Sequence, residues 1–219
     1  MRDDGHVSAP RQVFDSTAVD YVRFVGTELS DATEDAVDRS MLSAFADLVA
    51  AAGGGRVADL GCGPGRVTSF LARVQLDVVG IDVSLELLRF ARAAHPHIQF
   101  EVGRLDELPF ADKSLAGAVS WYSIIYTPPD LLGAAFSEMA RVIGADGLLL
   151  VAFQAGGSNP VLRPDAFGTG LSLTSYRHDV EGIARQLDVA GFDVHASTLR
   201  AARLEHEATS QAFVIGRRR

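Results

Sequence analysis

The sequence has little cysteine and no long apolar stretch. Its single cysteine, Cys62, excludes an internal disulfide and the three-cysteine iron–sulfur site of a radical enzyme, and it fits a reducing compartment. No apolar run approaches the roughly 20 residues that a membrane-spanning helix needs, and the polar start M-R-D-D-G-H does not resemble a signal peptide. We therefore expect a cytoplasmic protein without a membrane partner.

Positive charge is also in short supply. The chain has 20 Lys and Arg residues against 28 Asp and Glu residues, a net charge of −8, which argues against nucleic acid as a partner. Its histidines show no spacing typical of a metal site, so we expect no metal. At 219 residues, 47% of them hydrophobic, the chain is long enough for a full core. We expect a monomer or homodimer that binds small molecules.

The stretch Arg56–Val67, R-V-A-D-L-G-C-G-P-G-R-V, contains the strongest motif. A short apolar run leads into glycines at alternate positions, Gly61, Gly63 and Gly65, and apolar residues then recur with helical spacing. This order predicts a strand, a tight turn and a helix, the first half of a nucleotide-binding unit. Glycine lets the backbone approach a ligand and adopt positive φ, and the helix start offers free N–H groups to it.

A second apolar run, Leu76–Asp82, ends in a carboxylate. Asp82 follows Asp59 at close to the ~20-residue spacing at which an acidic residue binds ribose hydroxyls in such units. A carboxylate suits a ribose because its two oxygens can accept both hydroxyl hydrogens. The third glycine is followed by Arg66, which departs from the dinucleotide pattern G-x-G-x-x-G. The sequence therefore favours an adenosine ligand without a pyrophosphate.

Four motifs in this order resemble those of class I S-adenosylmethionine-dependent methyltransferases: V-A-D-L-G-C-G-P-G, G-I-D-V-S, L-P-F and R-V-I-G-A-D-G-L-L-L-V-A-F. The resemblance covers residues 57–153, and W-Y-S-I-I-Y-T-P-P-D is similar to a small-molecule subgroup associated with actinobacteria. It implies an α/β, Rossmann-like fold: a seven-stranded, mostly parallel sheet with helices on both faces, an antiparallel last strand and an N-terminal helical cap. It also implies S-adenosylmethionine as the cofactor and methyl transfer to an O or N atom of a small molecule, with secondary metabolites as candidates.

We divide the chain into two regions. Residues 1–52 are expected to form a disordered tip, residues 1–10, and a cap of two helices, Gln12–Thr27 and Glu34–Ala52, the second capped by Asp31 or Thr33. Residues 53–219 are expected to form the cofactor-binding domain.

The end of that domain contains two further predictions. The Gly- and Pro-rich connection Gln154–Thr174 is longer than usual, so we place part of the acceptor pocket there. The segments Phe192–Leu199 and Ala208–Ile215 are expected to pair as antiparallel strands.

The resemblance implies a set of cofactor-contacting positions: Tyr21, Asp59, Leu60, Gly61, Cys62, Gly63, Gly65, Asp82, Val83, Arg104, Leu105, Ser120 and Trp121. Packing alone is an equal alternative for Tyr21. Arg104 stands where the family usually has an aspartate for the adenine amino group, so either Arg104 stacks on the ring or Asp106 accepts that bond.

Two residues are candidates for a catalytic base, which is needed only if the acceptor atom carries a proton. His178 follows the long connection, although a surface histidine is the commoner interpretation of such a residue. Tyr126 leaves the fourth strand at the edge where ligands bind, but tyrosine is a poor base at neutral pH.

Other functions remain open at this point. A non-catalytic or degenerate relative is kept as an alternative by Arg104 and by Ala116, which stands where many members have an aspartate. An NAD-dependent oxidoreductase is disfavoured by Arg66. A spermidine-synthase-like enzyme is disfavoured because no aspartate-rich polyamine site is recognisable.

Overall fold

The computed structural model describes residues 5–157 and 160–219. The helices in these residues are α1 Gly5–Val25, α2 Ala36–Ala51, α3 Arg66–Arg73, α4 Leu85–Ala94, α5 Leu132–Val142 and α6 Val180–Val189. The strands are β1 Arg56–Leu60, β2 Asp77–Asp82, β3 Gln99–Val102, β4 Leu115–Trp121, β5 Ile143–Gln154, β6 Pro160–Arg163, β7 Leu173–Tyr176, β8 Phe192–Arg200 and β9 Gln211–Arg218.

Seven strands form the central sheet in the order β3-β2-β1-β4-β5-β9-β8. Strands β1 to β5 pair in parallel, β9 pairs antiparallel with β5, and β8 pairs antiparallel with β9. The predicted α/β, Rossmann-like, mostly parallel sheet is therefore confirmed, and so is the antiparallel pairing of the last two strands. β1 and β4 are adjacent although β2 and β3 lie between them in sequence, so the strand order reverses there. Ligands bind outside the carboxyl ends of the strands at such a reversal.

Apolar strands need cover on both faces because their side chains alternate between the two sides. One face packs against α5 and α6, with Phe136 and Leu187 fully buried. The other packs against α2 and α3, with Phe45 and Leu71 fully buried.

The prediction of a disordered tip is wrong for residues 5–10, and residues 1–4 lie outside the described part. Helix α1 begins at Gly5 and continues through Pro10. Glycine and proline favour helix poorly, but Val13 and Phe14 on the same helix are buried against the rest of the protein. Tertiary packing therefore overrides local propensity.

Helix α2 is capped by Asp35, not by Asp31 or Thr33. The Asp35 side chain accepts the N–H of Val37 at 3.0 Å, and the Asp38 side chain accepts the N–H of Asp35 at 3.0 Å. This reciprocal pair is a capping box.

The connection Gln154–Thr174 is partly ordered, although Ser158 and Asn159 lie outside the described residues. Strands β6 and β7 form a separate antiparallel hairpin. Ala166 and Leu173 pack with the buried residues of α1. Helix α1 and this hairpin thus cover the carboxyl edge of the sheet. Helix α2 instead belongs to the layer of helices that packs on the face of the sheet. A domain boundary at residue 52 stays a prediction.

A buried ionic cluster fixes the segment after β8. Arg200 donates to Asp38 on α2 at 2.5 Å and to Glu207 at 2.8 Å. All three side chains are almost fully buried, so each carboxylate depends on the guanidinium for its compensation.

Candidate functional site

The glycine turn lies between β1 and α3 at the reversal point of the sheet. The N–H groups of Gly61 and Cys62 donate to the Ile81 carbonyl at 2.7 and 2.9 Å, which ties the turn to β2. Gly61 has φ +75°, and a Cβ there would lie 2.2 Å from the Cβ of Ser123. A side chain at Gly61 would therefore displace the wall of the cleft above it.

Asp82 lies at the end of β2 and holds the turn as well as facing the cleft. Its Oδ2 accepts the N–H of Gly63 and its Oδ1 accepts the N–H of Ser84, both at 2.8 Å. Burial raises the pKa of Asp82, and these N–H donors oppose that rise. Each carboxylate oxygen has more than one lone pair, so the group can accept further donors from a ligand.

Asp59 lies beneath the turn and is 1% exposed. Thr68 donates to its Oδ2 at 2.6 Å, but Oδ1 has no hydrogen-bond partner among the residues that the structure describes. Burial raises the pKa of Asp59 to about 7. Asp59 therefore supports the turn from beneath and does not line the cleft.

Arg104 and Asp106 form a bidentate ion pair in the wall of the cleft. Nε and a terminal nitrogen of Arg104 each donate to a different oxygen of Asp106 at 2.9 Å. The hydrogen bonds from Arg104 lower the pKa of Asp106. The two side chains that were expected to act as alternatives toward adenine are thus bonded to each other, and how adenine is recognised stays a prediction.

Aromatic side chains from α1 and from the end of β4 line the rest of the cleft. The ring of Phe14 makes edge contacts with Tyr21 and Tyr126, each with ring centroids 5.2 Å apart. Trp121 and Tyr122 also line the cleft and meet edge-on at 5.7 Å. Such faces attract a sulfonium as they attract other cations.

The cleft is lined by residues of α1, the glycine turn, the end of β2 and the segment that follows β4. In residues 5–157 and 160–219, no group of three or more His, Cys, Asp or Glu side chains could hold a metal ion.

The glycine turn and the carboxylate of Asp82 thus lie together at the carboxyl edge of the sheet. Residues 57–147 match a methyltransferase domain. A demethylmenaquinone methyltransferase of Beutenbergia cavernae is 34% identical over 116 residues, which are 53% of this chain and 48% of that protein. The match to the first curated relatives thus spans about half of their length.

Solved structures extend the similarity of fold beyond the methyltransferase domain. The magnesium protoporphyrin IX methyltransferase of Synechocystis PCC 6803 with bound S-adenosylmethionine has a TM-score of 0.72 at 21% identity, over 98% of this chain and 97% of that chain. A 1,6-didemethyltoxoflavin N1-methyltransferase of Burkholderia thailandensis with bound S-adenosylhomocysteine has a TM-score of 0.71 at 19% identity, over 100% and 91%. Residues 57–147 thus resemble a methyltransferase domain, and the chain shares its fold with these two methyltransferases of known structure.

Most of the expected cofactor positions converge on one cleft. Eight of them line it: Tyr21, Gly61, Gly63, Asp82, Val83, Arg104, Leu105 and Trp121. The others lie behind its surface: Asp59, Leu60, Cys62, Gly65 and Ser120. Ser120 bonds Ser123 at 2.7 Å, and the Ser123 hydroxyl donates to the Leu60 carbonyl at 2.6 Å, so these residues support the wall.

The two candidate bases have different positions. Tyr126 lines the cleft, but burial raises the pKa of its hydroxyl well above the ordinary value, so it is neutral at physiological pH. His178 lies outside the cleft and is only 3% exposed, which contradicts the surface interpretation. Its Nε2 lies 3.3 Å from the Ile124 carbonyl, and burial lowers its pKa. The structure therefore does not place His178 in the lining of the cleft.

Three functional candidates were missed in the sequence. Phe14 and Ser123 line the cleft without any local pattern to indicate it. Arg66 also lines the cleft, and its position directly after the glycine turn could have indicated this from the sequence.

Among the described residues, no helix is both long enough and apolar enough to cross a bilayer.

Proposed function

We propose that this protein transfers a methyl group from S-adenosylmethionine to an O or N atom of a small molecule. The observation that carries the proposal is the position of Asp82 beside the glycine turn. Asp82 faces the cleft at the end of β2, and its oxygens already accept the N–H groups of Gly63 and Ser84. A ribose is suited to this position.

S-adenosylmethionine supplies a methyl group that its sulfonium already activates. The chain's own task is to hold the adenosine at Asp82 and Val83 and to exclude water. Tyr21, Tyr126 and Phe14 enclose the space beyond the ribose position, and α1 and the hairpin cover it. Positioning of this kind can supply about 7–11 kcal/mol of a reaction barrier.

The acceptor is proposed to bind with its reacting atom already unprotonated. Tyr126 is neutral, and His178 faces a backbone carbonyl outside the cleft. The neutral phenols of the cleft can instead donate hydrogen bonds to an acceptor oxygen or nitrogen. Amines of low pKa, acidic phenols and enols are therefore the first acceptors to screen. We also propose that the protein is cytoplasmic.

The test is calorimetric titration with S-adenosylmethionine, S-adenosylhomocysteine and NAD. We expect micromolar binding of the first two ligands to the unaltered protein and binding weaker by at least about tenfold in Asp82→Asn, since charge-assisted bonds to the ribose are lost. Asp77→Asn is the matched control, because Asp77 is the exposed first residue of the same strand.

Each alternative function predicts a different titration. Preferential binding of NAD would favour an oxidoreductase, and absence of binding by all three ligands would favour a relative that has lost the cofactor. Tight cofactor binding without turnover across a panel of amines, phenols and enols would favour a non-catalytic relative. Any of these results would contradict the proposal.

A further inference from the structure

We infer that Asp15 and Ser84 form a latch that couples the closure of α1 over the cleft to the carboxylate of Asp82. The inference rests on the proposed function, because Asp82 is the residue that we assign to the ribose. Neither Asp15 nor Ser84 lines the cleft. Both are therefore positioning residues, which act on the ligand through Asp82 and through α1.

Helix α1 forms one wall of the cleft. Five of its residues line the cleft: His6, Val7, Pro10, Phe14 and Tyr21. These positions extend over most of the helix, Gly5–Val25. A movement of α1 therefore opens or closes the space that the ligand occupies, and the contacts that hold α1 in place determine how readily a ligand leaves.

Ser84 lies between the ribose carboxylate and α1. It is fully buried and is the N-cap residue of α4. Its backbone N–H donates to Oδ1 of Asp82 at 2.8 Å, and its hydroxyl donates to Oδ1 of Asp15 at 2.7 Å. One residue thus donates hydrogen bonds to both carboxylates. Loss of the contact with Asp15 would consequently loosen the residue that orients Asp82.

The other contacts of Asp15 attach α1 to the N-terminus of α4. The N–H of Glu86, in the first turn of α4, donates to Oδ1 of Asp15 at 3.2 Å. On the other side, Nε of Arg11 lies 3.6 Å from Oδ2 of Asp15. The N-terminus of a helix has free N–H groups and a partial positive charge, both of which attract a carboxylate. Asp15 therefore caps α4 from a different helix and fastens α1 to it.

The closed position of α1 also brings two acidic residues close to each other. Burial raises the pKa of Asp82, and the negative charge of Asp15 adds to that rise. Ribose hydroxyls that donate to Asp82 would offset part of this unfavourable interaction. A bound ligand thus stabilises the closed position of α1, and by reciprocity the latch slows the departure of the ligand.

The experiment measures how fast S-adenosylhomocysteine leaves the protein. Trp121 is the only tryptophan of the chain and lines the cleft, so its fluorescence should report ligand binding in stopped-flow mixing. Leucine has a similar shape to aspartate but no hydrogen-bond acceptor. In Asp15→Leu we expect dissociation to be at least about tenfold faster, since hydrogen bonds to a charged group are lost. Asp15→Asn keeps an oxygen for Ser84 and should stay within about threefold of the unaltered protein.

A double-mutant cycle tests whether the two residues act together. Ser84→Ala removes the hydroxyl but keeps the backbone N–H that Asp82 accepts. Alone it should accelerate dissociation to a similar extent as Asp15→Leu. Because the two residues form one latch, the double variant should dissociate no more than about twofold faster than Asp15→Leu. An unchanged calorimetric stoichiometry shows that each variant is folded.

Asp20→Leu is the matched control, because Asp20 lies on the same helix, is mostly exposed and pairs with Arg23. Its dissociation rate should equal that of the unaltered protein. An unchanged rate in Asp15→Leu, an equally fast Asp15→Asn, or effects of Asp15 and Ser84 that multiply in the double variant would overturn the latch and leave the proposed function intact. Absence of S-adenosylhomocysteine binding by the unaltered protein would refute the proposed function, and the latch with it.

Discussion

Replacing Asp59 with asparagine should stabilise the protein at and above neutral pH. In the folded protein burial raises the pKa of Asp59 from 3.8 to about 7. One pKa unit corresponds to about 1.36 kcal/mol, so ionising Asp59 in the folded state opposes folding by up to about 4 kcal/mol above pH 7. Asparagine has nearly the same shape and no charge, and its oxygen can still accept the Thr68 hydroxyl.

The sign of the pH dependence follows from this shift. Between pH 4 and pH 7 the folded state binds more protons at Asp59 than the unfolded state does, so this residue lowers stability as pH rises through that window. We expect Asp59→Asn to unfold at higher urea concentration than the unaltered protein at pH 8, with the difference shrinking towards pH 4. Urea unfolding followed by circular dichroism at pH 4, 6 and 8 measures it, with exposed Asp77→Asn as the control. An asparagine variant that is less stable than the unaltered protein at pH 8, or whose advantage does not shrink towards pH 4, would refute the reasoning.

Two matched pairs of variants test the turn and the buried cluster. Gly61→Ala should abolish cofactor binding and lower stability by more than about 2 kcal/mol, because of the positive φ and the overlap with Ser123. Gly133→Ala is its control: Gly133 lies in open space on α5, and this substitution should raise stability by up to about 1 kcal/mol. Thermal unfolding and titration measure both, and a similar loss in the two alanine variants would contradict the role of the turn. Arg200→Met should cost about 3–5 kcal/mol by leaving two buried carboxylates unpaired. The mostly exposed Arg203→Met should cost less than about 1 kcal/mol in the same urea titration, and equal costs would show that the cluster does not stabilise the fold.

Local patterns predicted the centre of the fold. The strand, glycine turn and helix around Gly61 depend on neighbours in sequence, because positive φ and helical spacing are local properties. Asp82 was found for the same reason, since it ends an apolar run. The predicted turn lies at the reversal point of the sheet, and the predicted carboxylate faces the cleft.

Contacts between distant segments could not be predicted in this way. The buried pair of Arg66 and Glu34 depends on how the connection between α1 and α2 folds over the turn. The burial of His178 depends on the docking of the preceding hairpin, since its backbone pairs with the end of β5. Neither segment has a periodic pattern that would predict these contacts.

The bond between Arg104 and Asp106 has a different cause. The sequence predicted that either Arg104 or Asp106 contacts the adenine, but whether the two side chains bond each other instead depends on their rotamers. Two opposite charges two residues apart can meet each other or a ligand, and the sequence does not distinguish the two.

The position of β9 has a consequence for biosynthesis. β9 inserts between β5 and β8, although it follows both in the chain. During translation β5 therefore emerges with an open edge, and β8 has no partner in the sheet until residues 211–218 have left the ribosome. Exposed strand edges of this kind pair readily with other chains. The nascent protein should consequently depend on chaperones most strongly in the interval between the synthesis of β5 and that of β9.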